Sequence, residues 1–186
     1  MATRLRADAE RNRAALLHAA REIFGEHGLD ASLDEIARRA GVGNATLYRR
    51  FPSRRDLIAE VFAGQMTEWV ELAGRSLADP DPWNGFVAYV TRVCEMQATD
   101  RGLSDLLVNS SFDDDQRLAQ LRATAQRGAV EVVDRAQRAG SLRADFTRLD
   151  IRMLMMANAG VATRSLYPSA WRRHLALFLE GVHTGR

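Results

Sequence analysis

The stretch SLDEIARRAGVGNATLYRRFPSRRDLI, residues 32–58, predicts a helix, a tight glycine turn, a second short helix and an abrupt stop. Ser32 and Glu35 have the spacing of a capping box, in which the serine oxygen accepts from a free backbone N–H and the carboxylate bonds back. A helix is therefore expected to start there. Gly41-Val42-Gly43 supplies the turn, because glycine takes positive φ without steric cost.

The second helix is expected over residues 44–51, with Leu47 and Phe51 facing inward one turn apart. Pro52 ends it, because a residue before proline is pushed out of helical geometry. Ser53 repeats the capping-box spacing with a carboxylate three residues later, so another helix follows at once. This order of elements is the layout of a helix-turn-helix, in which the second helix enters the major groove of DNA.

These residues resemble the TetR family of bacterial transcriptional regulators. The resemblance rests on DEIARRAGVGNATLYRRFPSRRDLI, with its A-G-V turn, T-L-Y on the second helix, F-P stop and S-R opening of the next helix, and it covers the first third of the chain closely. The later segments LRADFTRLDIRML and WRRHLALFLEGV are similar to ligand domains of the SbtR-like type. One departure is Gly43, where many relatives carry a serine.

The spacing of apolar residues is helical nearly throughout, which predicts an all-α protein. The resemblance implies three helices in a helix-turn-helix DNA-binding domain, residues 1–55, and six helices in a ligand-binding and dimerisation domain, residues 56–186. The first of the six is expected to run on from Ser53, link the two domains, and stop at the prolines near residue 80.

The start of the second helix carries the residues expected to read bases. Asn44 can pair with adenine, Ala45 can touch a thymine methyl, and Arg49 can reach guanine or phosphate. The resemblance places Thr46, Tyr48 and Arg54 on phosphates. The complete predicted set of DNA contacts is Ser32, Gly43, Asn44, Ala45, Thr46, Tyr48, Arg49, Arg50, Ser53 and Arg54. The alternative is a solvated helix-turn-helix used for protein contact.

Positive charge is concentrated around this motif. Residues 1–55 hold 11 Arg against 7 Asp and Glu, whereas residues 56–186 hold 15 Arg against 17 acids. The basic end is therefore expected to face phosphate. The N-terminal arginines are compatible with a phosphate-seeking arm or with a solvated, frayed end; they are Arg4, Arg6, Arg11 and Arg13.

A ligand pocket is predicted in the second domain, where aromatic and thioether side chains accompany one amide. Its predicted lining residues are Trp69, Phe86, Tyr89, Met96, Phe112, Met156 and Asn158. The same helical spacing is also typical of plain core. The homodimer is predicted to form through helix 8, capped by Thr147 and Asp150, and helix 9, opened by Pro168, because their apolar faces are wide.

Catalytic chemistry has little support in the sequence. The four histidines have no metal-ligand spacing, and no catalytic residue, cofactor or metal is predicted. The acids at residues 113–115 fit a helix N-terminus better than a metal site. The one cysteine, Cys94, lies on an apolar stripe, so core packing is preferred to redox sensing, and together with the lack of a secretory or membrane segment it indicates a cytoplasmic protein.

The sequence thus predicts a homodimeric, sequence-specific DNA-binding transcriptional regulator, a repressor that a small-molecule effector releases from a pseudo-palindromic double-stranded operator. It predicts neither an enzyme nor a membrane protein. Two alternatives stay open. One is an architectural DNA-binding protein without ligand response, and the other is a helical small-molecule carrier whose basic end is incidental.

Overall fold

The computed structural model describes residues 2–108, 116–164 and 167–185, and over these residues the chain is all-α, as predicted. The one β-type pairing in these ranges is an isolated bridge between Leu142 and His183. No helix of the described residues is long and apolar enough to cross a membrane. The helices are α1 Ala2–His27, α2 Leu33–Arg39, α3 Asn44–Arg50, α4 Arg54–Leu77, α5 Pro82–Thr99, α6 Arg101–Val108, α7 Gln116–Arg138, α8 Arg148–Arg164 and α9 Ala170–Val182.

The first three helices form the predicted helix-turn-helix around a common core. Phe24 of α1, Ile36 of α2 and Leu47 of α3 are almost fully buried, so α1 supports both helices of the motif. The turn uses its two glycines differently. Gly41 has φ of 69°, as predicted, whereas Gly43 has φ of −76° and ψ of 152° and serves as the N-cap of α3.

The two predicted capping boxes have different outcomes. At α4 the box is present: Ser53 accepts from the Asp56 backbone N–H, and the Asp56 carboxylate accepts from Ser53 N at 2.9 Å. At α2 the prediction is wrong, because Ser32 makes no side-chain cap bond and the Glu35 carboxylate pairs with Arg38 at 3.1 Å. The i, i+3 ion pair takes the carboxylate away from the cap, although α2 still begins directly after Ser32.

The structure also differs from the predictions at the starts of α1 and α9. Helix α1 begins at Ala2, so the chain is already helical where a phosphate-seeking arm or a frayed end was predicted. Arg13 of α1 pairs with Glu60 of α4. Helix α9 begins at Ala170 with Ser169 as N-cap, so Pro168 precedes the helix rather than opening it. The predicted acidic start of α7, residues 113–115, lies outside the described residues.

Helix α4 runs from the helix-turn-helix into the second domain, where it packs along α7 and beside α5. Helix α6 makes a second connection, because it crosses α1 directly. Gly102 makes that crossing possible: a Cβ there would lie 2.7 Å from Cζ of Phe62 and 2.8 Å from the Phe24 carbonyl oxygen. The second domain is therefore joined to the helix-turn-helix at two places.

Candidate functional site

Helix α3 presents the predicted reading residues on the surface of the helix-turn-helix. Asn44, Ala45 and Arg49 are exposed, and Thr46 is half-buried. Tyr48 is 48% exposed, a large aromatic side chain left in solvent beside basic residues. The predicted contacts Ser32, Gly43, Arg50 and Ser53 are exposed as well. The structure thus places this set on the surface of the helix-turn-helix, where its side chains can enter a groove of DNA.

Asn44 is held by a neighbouring helix. Its Nδ2 donates to Oδ1 of Asp34, on α2, at 2.7 Å. This bond orients the amide that we expect to meet an adenine, and it also puts a carboxylate at the edge of the reading surface. A phosphate or base edge that approaches Asn44 therefore competes with Asp34 for the amide hydrogens.

Arg54 has a structural role that the sequence did not predict. Its Nη1 donates to the carbonyl oxygen of Leu29 at 2.8 Å and to that of Ala31 at 2.6 Å, so the half-buried guanidinium fixes the loop between α1 and α2. The phosphate contact expected of Arg54 stays a prediction. From the other side of the loop, Asp105 of α6 accepts from Leu29 N at 3.0 Å.

The remaining basic residues of α3 lie over α1. Arg50 donates to Glu10 at 3.4 Å, and a cleft of about 130 Å³ beside it is lined by Thr46, Arg49 and Arg13. Arg50 is exposed and its ion pair with Glu10 holds only weakly, so Arg50 can turn toward phosphate.

A cavity of about 940 Å³ lies in the second domain, between the long face of α7 and the start of α8. Its volume is in the range of small-molecule sites. Its floor comes from Trp69 of α4, Tyr89 of α5 and Phe146, which precedes α8. Leu107 and Val108, the last two residues of α6, also line it.

The floor contains a buried polar pair. Trp69 Nε1 donates to the hydroxyl oxygen of Tyr89 at 3.1 Å. Burial raises the pKa of Tyr89 to about 12, against a smaller lowering by that hydrogen bond, so the phenol keeps its proton at neutral pH. A protonated phenol that already accepts one hydrogen bond can still donate its own to an acceptor in the cavity.

The structure corrects the predicted pocket at three positions. Trp69, Tyr89 and Met156 line the cavity, but Phe86, Met96 and Asn158 do not. Phe86 is behind the wall, edge-on to Phe146 at 5.7 Å between ring centroids. Phe112 lies outside the described residues.

Asn158 belongs to a buried polar junction between α5 and α8. Its Nδ2 donates to the Cys94 carbonyl and to Gln97 Oε1, both at 3.1 Å, and Gln97 Nε2 donates to the Met155 carbonyl at 3.2 Å. The lone amide in an apolar helix is thus used for helix packing. Cys94 is also buried, and burial raises the pKa of its thiol to about 12, which keeps it as an unreactive thiol at neutral pH.

The sequence prediction missed the charged residues of the cavity. Four arginines and one aspartate line it: Arg122, Arg127, Arg148, Arg152 and Asp134. A signal was present for Arg122, which occupies the apolar stripe of α7 between Leu118 and Ala125 and is buried with them. An arginine at such a position is rarely buried without a partner or a role.

Comparison with known proteins agrees with this geometry. Residues 16–61 match the profile of bacterial regulatory proteins of the tetR family, and residues 81–184 match the C-terminal domain of SbtR-like transcriptional regulators. The HTH-type transcriptional repressor LfrR of Mycolicibacterium smegmatis is 35% identical over 130 residues, covering 68% of this chain and 66% of LfrR. The HTH-type transcriptional regulator Rv2250c of Mycobacterium tuberculosis is 28% identical, covering 83% and 82%.

Solved structures give the same result. A TetR transcription regulatory protein from Mycobacterium vanbaalenii is 32% identical with a TM-score of 0.57, covering 97% of this chain and 99% of that one. KstR2 of Mycobacterium tuberculosis has the same fold at 19% identity, with a TM-score of 0.70 and coverage of 93% and 95%.

The fold and the surface of α3 define a helix-turn-helix DNA-binding regulator of transcription. Within that class, the chain belongs to the TetR family, and its second domain is of the SbtR-like type.

Replacing Asn44 tests which residue reads sequence. We expect Asn44→Ala to change the preferred base at one position of each half-site by about 1–3 kcal/mol, because a bidentate amide–adenine contact is lost. Selection of bound sites from a random DNA pool measures this.

The matched control is Asp34→Ala, which releases the same amide without removing it. It should strengthen binding to all sequences, because a carboxylate leaves the phosphate-facing surface, and it should change the preferred base less than Asn44→Ala does, because the amide is still present. If both variants shift base preference in the same way, Asn44 acts through Asp34 and does not read a base.

Proposed function

We propose that this protein is a repressor that leaves its operator when a small molecule occupies the cavity between α7 and α8. The observation that carries the proposal is a large cavity whose walls include residues of both helices that reach the DNA-binding domain. Trp69 of α4 and Leu107 of α6 line the cavity. The name of its relative LfrR, a repressor, supports the sign of regulation.

Helix α4 provides one route from the cavity to α3. Its first turns, with Leu57 and Ile58, are buried in the core of the helix-turn-helix, and Trp69 lies three turns further on. A helix is stiff over this length, so a shift of Trp69 tilts the whole DNA-binding domain.

Helix α6 provides the second route. It ends at the cavity wall with Leu107 and Val108, and its Asp105 holds Leu29 N in the loop between α1 and α2. A ligand that displaces the end of α6 thus acts on the loop that Arg54 also holds. Both routes end at the supports of α3, which is what a switch of operator affinity requires.

We propose that the functional unit is a homodimer formed through α8 and α9. Four of the six large apolar side chains that are exposed in the described residues lie on these helices: Leu149, Met153, Met156 and Leu177. A patch of this kind on a lone chain marks a protein interface. On α8 it occupies positions i, i+4 and i+7, one continuous face, and Ala157 and Gly160 beside it permit close approach.

A two-fold dimer presents two α3 helices to two half-sites, about 34 Å apart for one turn of DNA, so the operator is expected to be pseudo-palindromic. Membership of a transcription-regulator family favours a cytoplasmic, non-enzymatic role. An architectural protein would bind many sequences equally and ignore ligands, and a carrier would bind ligand without binding DNA.

Two tyrosine-to-phenylalanine variants separate the response to ligand from binding to the operator. Tyr89→Phe should weaken the effect of ligand on operator affinity while sparing operator affinity itself. The reason is that the hydroxyl belongs to the cavity floor and not to the DNA-reading surface. Tyr48→Phe should do the reverse and weaken operator binding by about two- to tenfold, the value of one hydrogen bond.

The measurement is a thermal-shift screen of apolar metabolites, followed by operator titration with and without each hit. Melting temperatures of both variants control for folding, since Tyr89→Phe also removes the acceptor of Trp69 Nε1. Hits that stabilise the protein but never change operator affinity would refute the ligand-released repressor.

The dimer is tested at Leu177, which is 51% exposed, because Leu175 on the same helix is 4% exposed and belongs to the core of its own chain. Leu177→Arg should shift the protein toward monomer in sedimentation and abolish tight operator binding, because an unpaired charge would be buried in an apolar contact. The control, Ala88→Arg, adds the same charge at an exposed site on α5 and should stay dimeric. A dimeric Leu177→Arg variant, or a wild-type monomer at micromolar concentration, would contradict the assignment.

A further inference from the structure

The charged residues of the cavity point to the chemical class of its ligand. We propose that the cavity takes an elongated amphipathic acid, with an apolar body along α7 and a carboxylate among the arginines of the two walls. This inference rests on the proposed ligand-released repressor and specifies its effector.

The shape of the cavity fits a long ligand. Its wall on α7 extends from Ala119 to Gln137, which at the helical rise is about 27 Å. The facing wall extends from Thr147, which precedes α8, to Met156 within it. Among the described residues, α7 packs on α4 and α5, and α8 packs on α5, α6 and α9, so the space between α7 and α8 is a groove with a floor and not a closed helix contact.

Much of the groove lining is apolar. Val130 and Val133 of α7, Ile151 and Met155 of α8 and the ring of Phe146 all contribute to it. Burial of a chain of methylene groups there contributes favourably with each carbon. A small polar metabolite would leave most of this surface wet.

The charges on both walls have the same sign. Arg122 and Arg127 belong to α7, and Arg148 and Arg152 belong to α8, against Asp134 as the one carboxylate of the described lining. Arg122 donates to the Leu106 carbonyl at 2.5 Å, and Arg127 donates to Thr124 Oγ1 at 2.9 Å. Arg127, Arg148 and Arg152 are exposed, so their charges face the groove at its surface. Like charges on facing walls are stabilised by an anion between them, and carboxylate matches the guanidinium fork.

Most of the groove lining on α8 lies to one side of the apolar face assigned to the dimer, which leaves the groove accessible in the proposed dimer. Arg148, Ile151 and Arg152 line the groove, whereas Leu149 and Met153 lie on the exposed apolar face. At 100° per residue these two sets are about a third of a turn apart on the helix. Dimer contact and ligand contact therefore use adjoining faces of α8, with Met156 at their shared edge.

The floor adds a hydrogen-bond donor. Tyr89 accepts from Trp69 and retains its own hydroxyl hydrogen for an oxygen of the ligand. Donors of this kind, together with guanidinium groups, select for acceptor oxygens and against ammonium groups. Both the positive charge of the arginines and the hydroxyl donor of Tyr89 therefore disfavour cationic amphiphiles in the groove.

The test compares three ligands with one chain length and different charge: dodecanoate, dodecanamide and dodecylamine. Binding to the full-length protein is measured by calorimetry below micelle concentrations, with quenching of tryptophan fluorescence as a second readout, because Trp69 lines the groove. We expect dodecanoate to bind about tenfold or more tightly than the amide, and the amine to bind most weakly, because charge-assisted hydrogen bonds exceed neutral ones.

Arginine-to-glutamine variants test which residues produce the preference for dodecanoate. Arg148→Gln/Arg152→Gln should remove most of the preference of about tenfold for dodecanoate, whereas Arg138→Gln, an exposed arginine of α7 outside the groove, should keep it. Both substituted positions are exposed, so folding is preserved. Equal or tighter binding of the amide or the amine, a preference unchanged in Arg148→Gln/Arg152→Gln, or failure of all three ligands to bind would overturn the proposal.

An operator titration with each ligand keeps this proposal distinct from the proposed function. Release of operator by the amide or the amine but not by dodecanoate would refute the acid and leave the ligand-released repressor intact. Tight, arginine-dependent binding of dodecanoate with no change in operator affinity would support the acid site and count against the repressor mechanism.

Discussion

Hydrogen bonds from α4 and α6 hold the loop between α1 and α2, and the orientation of the DNA-reading helix depends on these bonds. Arg54 donates to the carbonyl oxygens of Leu29 and Ala31, and Asp105 accepts from the Leu29 amide. Each bond uses a charged partner, and such bonds are roughly twice as strong as neutral ones. Arg54 begins α4 and Asp105 belongs to α6, so these hydrogen bonds join the loop to two of the helices that line the cavity.

Two helices that share one loop can act as a switch because they restrain the same element. The crossing of α6 over α1 at Gly102 leaves no room for even a methyl group, so α6 cannot move without moving α1 or breaking the contact. Tightly packed contacts of this kind exchange between discrete arrangements rather than deform gradually. A groove wall made from the end of α6 is therefore well placed to change the tilt of α3, and the dimer then applies the change to two half-sites at once.

Local signals predicted the helix-turn-helix well. The Gly41 turn, the Ser53–Asp56 capping box and the inward Leu47 follow from rules that act within a few residues, and the structure contains each. The cavity was harder to predict, because a buried Asn158 and a cavity-lining Tyr89 have the same helical spacing, and only tertiary packing separates them. Arg122 could have been recognised from the sequence as a cavity residue. An arginine within the apolar stripe of α7 indicates a polar function, and a search for apolar periodicity alone does not detect it.

Asp105 is the residue through which α6 is expected to transmit occupancy of the groove to the DNA-reading helix. The most direct measurement is operator affinity with and without a saturating ligand from the thermal-shift screen, in the wild type, in Asp105→Ala and in Glu131→Ala, an exposed carboxylate of α7 away from the loop. Coupling energies are typically about 1–3 kcal/mol, and by reciprocity operator DNA should weaken ligand binding by the same factor. We expect Asp105→Ala still to bind both partners while this factor is reduced to the part that α4 transmits, and Glu131→Ala to retain the full factor. An unchanged factor in Asp105→Ala would contradict the account.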